Sequence, residues 1–345
     1  MNLNKNTKNQ YYINFNNKKY NIDNFVNEIS QGNRSFLSRA ITIIDSCLEK
    51  DNILSQEILK KCLKKPIKSI RVGISGIPGV GKSTLIESLG KIVIDKGYKL
   101  AVLTVDPSSL NSKGSILGDK VRMGELSKSE NVFIRTTPAS NILGGVARGT
   151  RESVMLCETA GYDVIFVETV GVGQSEVDVH SMVDFFLLLQ IVGAGDELQG
   201  VKKGIMEIVD CIVINKADGE NRAKAAKIAS DFNKILEASF IRESEWYPKA
   251  LIASSFDNYG IEQIWSVILK HNKVINKNGF FIKKRQEQYL QWMQEITNHK
   301  IYNDFYGNKD VKLLINNLKK DILNNKINIF DASDKLLNTY KRHLK

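Results

Sequence analysis

Two hydrophobic patterns divide the chain. Apolar residues recur at helical spacing over Ile22–Leu48, and a second short helix is predicted over Ser55–Lys65, where Pro66 ends it. From Ile70 onward, short apolar runs alternate with longer polar stretches, which is typical of buried parallel strands joined by helices. We expect strands at Arg71–Ser75, Leu100–Val105, Val164–Glu168, Phe185–Val192, Cys211–Asn215 and Lys249–Ala253.

This alternation predicts the α/β class, with a doubly wound, mostly parallel sheet. After Gly260 the pattern becomes helical again, so helical extensions are expected at both ends of the α/β domain. We assign residues 1–22 to a disordered leader, 23–68 to an N-terminal helical segment, 69–272 to the α/β domain and 273–345 to a C-terminal helical arm. The predicted C-terminal helices are Gln263–Lys270, Lys284–Asn298, Val311–Asn324 and Asp331–Arg342.

The net charge of +11 lies in the flanks of the 345-residue chain. Residues 1–70 and 281–345 each carry +6, whereas residues 71–280 carry −1, so the charge lies outside the α/β domain and we expect no nucleic-acid partner. Four scattered cysteines are typical of free thiols in the cytoplasm, and the histidines lack the spacing of a zinc site. No apolar run is long enough to predict a membrane span.

A glycine-rich loop follows the first predicted strand. Its sequence, GIPGVGKST, fits the GxxxxGK[ST] phosphate loop between a strand and a helix. The glycines allow backbone N–H groups to approach phosphate oxygens, Lys82 is predicted to reach the β- and γ-phosphates, and Ser83 to ligate Mg²⁺. We expect nucleotide contacts from Gly76, Ile77, Pro78, Gly79, Val80, Gly81, Lys82, Ser83 and Thr84.

The motif Asn-Lys-Ala-Asp follows a later strand and predicts guanine recognition. The Asp218 carboxylate accepts from both the ring N–H and the amino group of guanine, a pair that adenine does not offer. Asn215 is predicted to brace the loop and the base, while the stem of Lys216 covers the base. Ser254 and Ser255, just past another strand, are positioned to offer a backbone N–H to the guanine carbonyl oxygen.

A second apolar strand ends in an acid, Glu168, which is predicted to meet Mg²⁺ or its waters. Gly171 can donate its backbone N–H to the γ-phosphate, so the residues that follow it are a candidate switch. Gln174 is the candidate to orient the attacking water. Asp106, at a strand end, and Asp119, in the loop behind it, are alternative Mg²⁺ ligands or water-positioning bases, or else carboxylates that cap a helix or turn.

A third loop over Gly193–Gly204 combines four glycines with charged residues and is a candidate nucleotide-sensitive loop. Four arginines lie between Asp119 and the Glu168 strand. One of them is a candidate arginine finger, but most are expected to be solvated on helix faces. They are Arg122, Arg135, Arg148 and Arg151.

Together, the phosphate loop, Val105–Ser109, Gly114–Asp119, Glu168–Glu176 and Asn215–Asp218 resemble the MeaB/ArgK group of SIMIBI-class P-loop GTPases, relatives of the methylmalonic aciduria type A protein. The resemblance runs from about residue 24 to the C-terminus. It implies a GTP-binding and GTP-hydrolysing metallochaperone that gates adenosylcobalamin loading of methylmalonyl-CoA mutase, or a related acyl-CoA mutase, and protects or reactivates it. Cobalamin is then bound only through the mutase, and the adenosyltransferase is an indirect partner.

The resemblance also implies a homodimer formed by the C-terminal arm. Carried over by position, it assigns nucleotide contacts to the phosphate loop, the Asn215–Asp218 motif and Ser254, and magnesium or switch roles to Asp106, Asp119 and Glu168. It assigns signalling to the mutase to a third switch that contains Asp196, Glu197, Lys202 and Lys203. One departure is the segment Asp257–Gly260 after the base loop, which is atypical of the family.

Two other functions remain open. One is a nucleotide hydrolase or kinase tied to lysine, arginine and ornithine transport, against which the guanine motif argues. The other is a metal-insertion GTPase, a class that usually carries a histidine- or cysteine-rich site.

Overall fold

The computed structural model of the chain describes residues 12–15, 18–46, 48–63, 68–106, 123–138, 145–169, 175–193, 203–237 and 242–343. Two compact units account for the fold, one over Met1–Arg285 and the other over Gln286–Lys345. Of the helices in the described ranges, none has both the length and the apolar character that crossing a bilayer requires.

The N-terminal segment is a hairpin followed by three helices. Alternation in the hairpin buries Ile13 and brings the ring of Phe15 to 5.0 Å from that of Phe36. These apolar contacts explain why residues 12–15 and 18–21 form strands where the sequence predicted a disordered leader. The elements are β1 (Tyr12–Phe15), β2 (Lys18–Asn21), α1 (Ile22–Ser30), α2 (Arg34–Ile44) and α3 (Glu49–Cys62).

A seven-stranded sheet forms the centre of the first unit. Its strands are β3 (Ile70–Gly76), β4 (Leu100–Asp106), β5 (Val132–Pro138), β6 (Val164–Glu168), β7 (Phe185–Ile191), β8 (Cys211–Asn215) and β9 (Lys249–Ile252). Their order in space is β5-β4-β6-β3-β7-β8-β9, and every neighbouring pair is parallel. The predicted doubly wound α/β class is confirmed.

Helices cross between the strands and bury an apolar core against the sheet. Phe166, Phe185 and Trp265 are fully buried in it, together with Leu85 and Ile268. The helices are α4 (Lys82–Asp95), α5 (Gly145–Thr159), α6 (Ser175–His180), α7 (Lys203–Ile208), α8 (Asn221–Glu237), α9 (Ile261–Lys277) and the first turn of α10 (Phe280–Gly307).

Three aspartates close the edge of the sheet at which the strands begin. Each lies directly before a strand. Its carboxylate accepts a hydrogen bond from a backbone N–H that belongs either to a neighbouring strand or to the residue just before a neighbouring strand. Backbone N–H groups at this edge must find such partners because a buried unpaired donor is costly. The pairs are Asp163 with Lys99 (2.8 Å), Asp184 with Arg71 (2.8 Å) and Asp210 with Phe186 (2.9 Å).

A buried cluster of two arginines and two acids, which we call the ion cluster, lies at the same edge. Arg71 donates to both oxygens of Glu158 at 2.7 and 2.6 Å, and Arg285 donates to both oxygens of Asp184 at 2.7 Å. Arg285 also donates to Glu158 at 3.0 Å. Burial raises the pKa of Glu158, but Arg71 and Arg285 outweigh it and hold the pKa at about 2.

The second unit consists of the rest of α10 with α11 (Lys309–Leu323) and α12 (Ile329–His343). Asn308 caps α11 by accepting the N–H groups of Asp310 and Val311. The Tyr340 hydroxyl donates to Asp304, and its ring lies 5.1 Å from that of Phe305, so α12 packs on the end of α10.

Candidate functional site

The phosphate loop joins the end of β3 to the start of α4, where the backbone turns sharply. Gly81 has a φ of +95°, and a Cβ there would lie 2.7 Å from the Nδ2 atom of Asn215. At Gly76 a Cβ would lie 2.7 Å from the carbonyl oxygen of Leu189. Both positions therefore require glycine, because any side chain would displace a neighbouring strand or loop.

Lys82 is the first residue of α4, and its side chain is buried under the loop. The Nζ atom donates to the carbonyl oxygens of Gly76 at 2.8 Å and Ile77 at 3.3 Å. Burial lowers the pKa of Lys82, and the nearby Glu168 carboxylate counteracts part of this effect. An ammonium has three N–H donors, so one remains for an anion in the loop.

Ser83 and Glu168 provide two oxygen donors that suit a magnesium ion. The Ser83 hydroxyl donates to Oε1 of Glu168 at 3.2 Å, and Glu168 ends β6 with only 7% of its surface exposed. Among the described residues, no group of three or more His, Cys, Asp or Glu side chains could hold a metal. A hydroxyl and one carboxylate nevertheless fit Mg²⁺, which takes few protein ligands beside substrate phosphates and water.

Asp106 lies on β4, the strand next to Glu168. Thr104 pairs with Glu168 in the β4–β6 register, so Asp106 extends two residues beyond that pair at the same edge of the sheet. Only the backbone of Asp106 is described. The register therefore supports its position near the phosphate loop, while its role as a magnesium ligand or water-positioning base stays a prediction.

The base motif follows β8 and is bonded directly to the phosphate loop. Asn215 Nδ2 donates to the carbonyl oxygen of Val80 at 2.9 Å. Its Oδ1 atom is buried and has no hydrogen-bond partner among the described residues. Lys216 adopts a left-handed φ of +55°, which is strained for a residue with a side chain. The buried Oδ1 atom of Asn215 is therefore an acceptor to which a ligand can donate a hydrogen bond.

Asp218 and Ser254 meet at the next turn. The Ser254 hydroxyl donates to Oδ2 of Asp218 at 3.2 Å, and Ala217 N donates to Ala253 O at 3.0 Å. Beside them, Ser88 of α4 donates to the carbonyl oxygen of Ser255 at 3.3 Å. The structure thus brings together the predicted base-reading segments and attaches them to the helix of the phosphate loop.

Several predicted residues fall outside what the structure describes. They are Asp119, Gly171, Gln174, Asp196, Glu197 and Lys202. Lys203 is described only through its backbone, at the start of α7. The switch and signalling roles predicted for these residues therefore stay predictions.

Most of the four arginines were expected to be solvated on helix faces, but two of them, Arg135 and Arg151, bond to other residues of the fold. Arg135 lies on β5 and pairs with Asp45 of α2's C-terminal end at 3.3 Å, while Arg151 is buried in α5 and donates to the Ser181 hydroxyl at 2.9 Å. Burial raises the pKa of Asp45 to about 6, and Arg135 counteracts part of this effect. Both arginines make contacts within the fold, and Arg122 and the side chain of Arg148 lie outside the described part.

Sequence reasoning missed one residue at this site, Arg222. It lies in the first turn of α8 and contacts Ala217, Asp257 and Tyr259. The sequence did contain a signal for Arg222, because it lies four residues after Asp218, in the helix that follows the base motif.

A parallel α/β sheet with a phosphate loop after β3 and an Asn-Lys-x-Asp loop after β8 defines a P-loop GTPase of the SIMIBI class. The family model described as "Methylmalonyl Co-A mutase-associated GTPase MeaB" matches residues 37–310. The chain belongs to this family and is a GTPase.

Named relatives agree with this assignment. GTPase ArgK of Escherichia coli K12 is 42% identical over 285 residues, covering 83% of this chain and 86% of the relative. The mouse protein named methylmalonic aciduria type A homolog, mitochondrial, is 39% identical over 334 residues, covering 93% of this chain and 80% of the relative. A crystal structure of a LAO/AO transport system kinase matches with a TM-score of 0.71 and 33% identity, covering 93% of this chain and 97% of that one.

Proposed function

We propose that this GTPase is a metallochaperone for an adenosylcobalamin-dependent acyl-CoA mutase. It would gate cofactor loading of methylmalonyl-CoA mutase or a related enzyme, and protect or reactivate it. The family description and the name of the mouse relative support this partner. The observation that carries the nucleotide chemistry is the bond from Asn215 to Val80, because it joins the base motif and the phosphate loop into one site.

In this proposal, water attacks the γ-phosphorus of GTP and the bond to the β–γ bridging oxygen breaks, leaving GDP and phosphate. Lys82 and the loop N–H groups stabilise the negative charge that develops on the phosphoryl and leaving oxygens. Ser83 and Glu168, with Asp106 and Asp119 as further candidates, would hold Mg²⁺. When bound, Mg²⁺ supplies positive charge at the β- and γ-phosphate oxygens. Gln174 or a carboxylate is proposed to position the water.

The purified protein tests the nucleotide assignment. We expect GTP hydrolysis with little ATP hydrolysis, because Asp218 accepts two donors that only guanine offers. Asp218→Asn should shift the preference toward xanthosine triphosphate, since the new amide can donate to the carbonyl that replaces the amino group. Equal hydrolysis of ATP and GTP by the wild type would contradict the proposal.

A pull-down from the native lysate tests the partner. The tagged chain is loaded with GDP or with a non-hydrolysable GTP analogue, and captured proteins are identified by mass spectrometry. We expect an acyl-CoA mutase that binds cobalamin, with capture that depends on the nucleotide, and the adenosyltransferase only when the mutase is present. Lys202→Ala should weaken that nucleotide dependence. Absence of a cobalamin mutase in both arms would contradict the chaperone function.

We also propose that residues 273–345 form a homodimer. The second unit exposes large apolar side chains, including Leu313 (66%), Leu323 (83%) and Phe330 (83%), and their burial between two copies would remove them from water. Light scattering should give twice the chain mass for the wild type and one chain mass for Leu323→Asp/Phe330→Asp. A monomeric wild type at micromolar concentration would contradict the dimer.

The cytoplasm is the proposed location, supported by the free buried thiols of Cys62, Cys157 and Cys211 in the described residues. Fractionation of the native cells tests it.

A function in amino-acid transport is the second candidate, because the LAO/AO transport system kinase is a structural relative. It predicts that the chain uses ATP, which the ATP arm of the hydrolysis assay would detect.

A further inference from the structure

Arg222 joins two loops that approach the base motif. Its Nη2 atom donates to Oδ2 of Asp257 at 3.2 Å, and its guanidinium carbon lies 4.0 Å from the centroid of the Tyr259 ring. On its other side, Nε donates to the carbonyl oxygen of Ala217 at 3.5 Å. Ala217 belongs to the Asn-Lys-Ala-Asp motif, whereas Asp257 and Tyr259 belong to the atypical segment after β9.

The segment after β9 is a closed turn, which we call the 254–260 loop. Ser254 N donates to Tyr259 O at 2.9 Å, and Tyr259 N donates to Oδ1 of Asp257 at 3.4 Å. At its base, Gly260 has a φ of +74°, and a Cβ there would lie 2.3 Å from the carbonyl oxygen of Ile252. The loop therefore has little freedom within itself, and its orientation depends on what holds its tip.

The same loop is coupled to the base-reading carboxylate. The Ser254 hydroxyl donates to Asp218 at 3.2 Å and also lowers the pKa of Asp257, as do the Tyr259 N–H and Arg222. A displacement of Asp257 or Tyr259 thus reaches Asp218 through one residue, Ser254.

We propose that Arg222 is a positioning residue for the guanine base, fastening the 254–260 loop to the Asn-Lys-Ala-Asp motif so that Asp218 keeps the orientation that two hydrogen bonds require. The inference rests on the assignment of Asp218 as the base-reading residue in the proposed function. Arg222 acts through Asp218 and Ser254 and does not itself touch the nucleotide.

The chemistry of this contact favours arginine. A planar guanidinium can stack on Tyr259 while its N–H groups pair with Asp257 and Ala217, whereas a lysine ammonium can pair with the carboxylate but cannot stack flat on the ring. Removing the side chain leaves the Ala217–Ala253 and Ser254–Asp218 bonds, which hold one end of the 254–260 loop and release its tip.

Nucleotide dissociation from the full chain tests the proposal. The protein is loaded with a fluorescent GDP analogue and chased with excess unlabelled GDP. We expect Arg222→Ala to release it about fivefold to twentyfold faster, because an exposed ion pair and a cation–π contact are each of modest strength. Arg222→Lys should fall between Arg222→Ala and the wild type. The matched control is Lys234→Ala, which removes another exposed ion pair of α8, with Asp231, and should stay within about twofold.

An inosine diphosphate analogue separates positioning from a general structural effect. Inosine lacks the 2-amino group, so it makes one fewer bond to Asp218 and depends less on the orientation of the carboxylate. Arg222→Ala should therefore reduce the preference for the GDP analogue over the inosine analogue, while its melting temperature without nucleotide matches that of Lys234→Ala. An unchanged preference, or a dissociation rate equal to that of the control, would overturn the proposal.

Asp218→Asn distinguishes failure of this inference from failure of the base assignment. If Asp218→Asn exchanges guanine for xanthine preference while Arg222→Ala behaves like the control, only the role of Arg222 is overturned. If Asp218→Asn keeps guanine preference, the base is read elsewhere and both assignments fail.

Discussion

At the edge where the strands begin, the four charged side chains of the ion cluster are joined by hydrogen bonds of 2.6 to 3.0 Å. At the opposite edge, Asn215 Oδ1 and Ser255 Oγ are buried with no hydrogen-bond partner among the described residues. In the described residues, the carboxylates and guanidinium groups of the ion cluster are hydrogen-bonded to one another. The opposite edge retains unpaired groups at the carboxyl ends of parallel strands, the usual place for a ligand in such sheets.

The largest expected effect on stability comes from removing one carboxylate of the ion cluster. Glu158→Ala leaves the buried guanidinium groups of Arg71 and Arg285 without their shared carboxylate, and we expect the free energy of unfolding to fall by about 3–5 kcal/mol. Urea unfolding measures the loss, and GDP affinity of the folded protein should stay within about twofold. Glu57→Ala, which breaks an exposed pair with Lys60, is the control and should cost about 0–1 kcal/mol. A comparable loss in both variants would remove the contrast between the cluster and the surface.

The ion cluster should also determine stability in acid. Because the pKa of Glu158 is lowered in the fold to about 2 from 4.5, its stabilisation is present above about pH 4.5 and is lost as the pH falls toward 2. The full contribution is about 3 kcal/mol. Unfolding of the wild type and of Glu158→Gln, measured from pH 6 to pH 3, should give a steeper decline for the wild type. Parallel curves would show that Glu158 does not titrate in this way.

At the nucleotide edge, Lys82→Ala should separate activity from stability. Hydrolysis of GTP should fall by about 100-fold or more, since a cationic donor to the developing charge is lost, which corresponds to about 2.7 kcal/mol. Stability without nucleotide should fall by less than in Glu158→Ala, because burial disfavours the charged ammonium and this offsets part of the loss of its bonds to Gly76 and Ile77. Single-turnover hydrolysis and urea unfolding give the two readouts. Lys91→Ala, on the exposed side of the same helix, should leave both unchanged.

A smaller effect is expected from Gly81→Ala. The added Cβ would lie 2.7 Å from Asn215 Nδ2, so the bond to Val80 should break and GDP affinity should fall by about 10-fold. Gly97→Ala is the matched control, because Gly97 also has a positive φ, +86°, but has open space around its Cβ position. Both variants should lose about 1 kcal/mol of stability through backbone strain, and Gly81→Ala should lose more because its bond between Asn215 and Val80 also breaks. Equal GDP affinity in the two variants would show that the Asn215 contact does not matter for binding.

Most of the sheet could be predicted from the sequence because buried parallel strands are continuous apolar runs. Five apolar residues in a row mark β7. In contrast, β5 reads Val-Phe-Ile-Arg-Thr-Thr-Pro and lies at the edge of the sheet, and its polar second half does not give the continuous apolar run of a buried strand. The hairpin was not predicted because its strands are short and asparagines interrupt their apolar pattern.

The contacts that assemble the site and the ion cluster could not be read from spacing. Asn215 and Val80 are separated by 135 positions, and Arg71 and Glu158 by 87. The phosphate and base motifs are recognisable because a fixed local order of residues is needed to bind one ligand. The ion cluster has no local signature except Arg71 and Asp184, charged residues within or directly before apolar runs.

The bond between Asn215 and Val80 has a consequence for folding during synthesis. The phosphate loop emerges from the ribosome early, but β8 and the base motif are synthesised 135 positions later. Contacts of such large sequence separation form late, because a long loop must first be closed. A nascent chain that ends before Asn215 contains every phosphate-loop residue and none of the base motif. Guanine nucleotide selectivity should therefore arise only after the chain has been synthesised beyond Asp218 and β8 has joined the sheet.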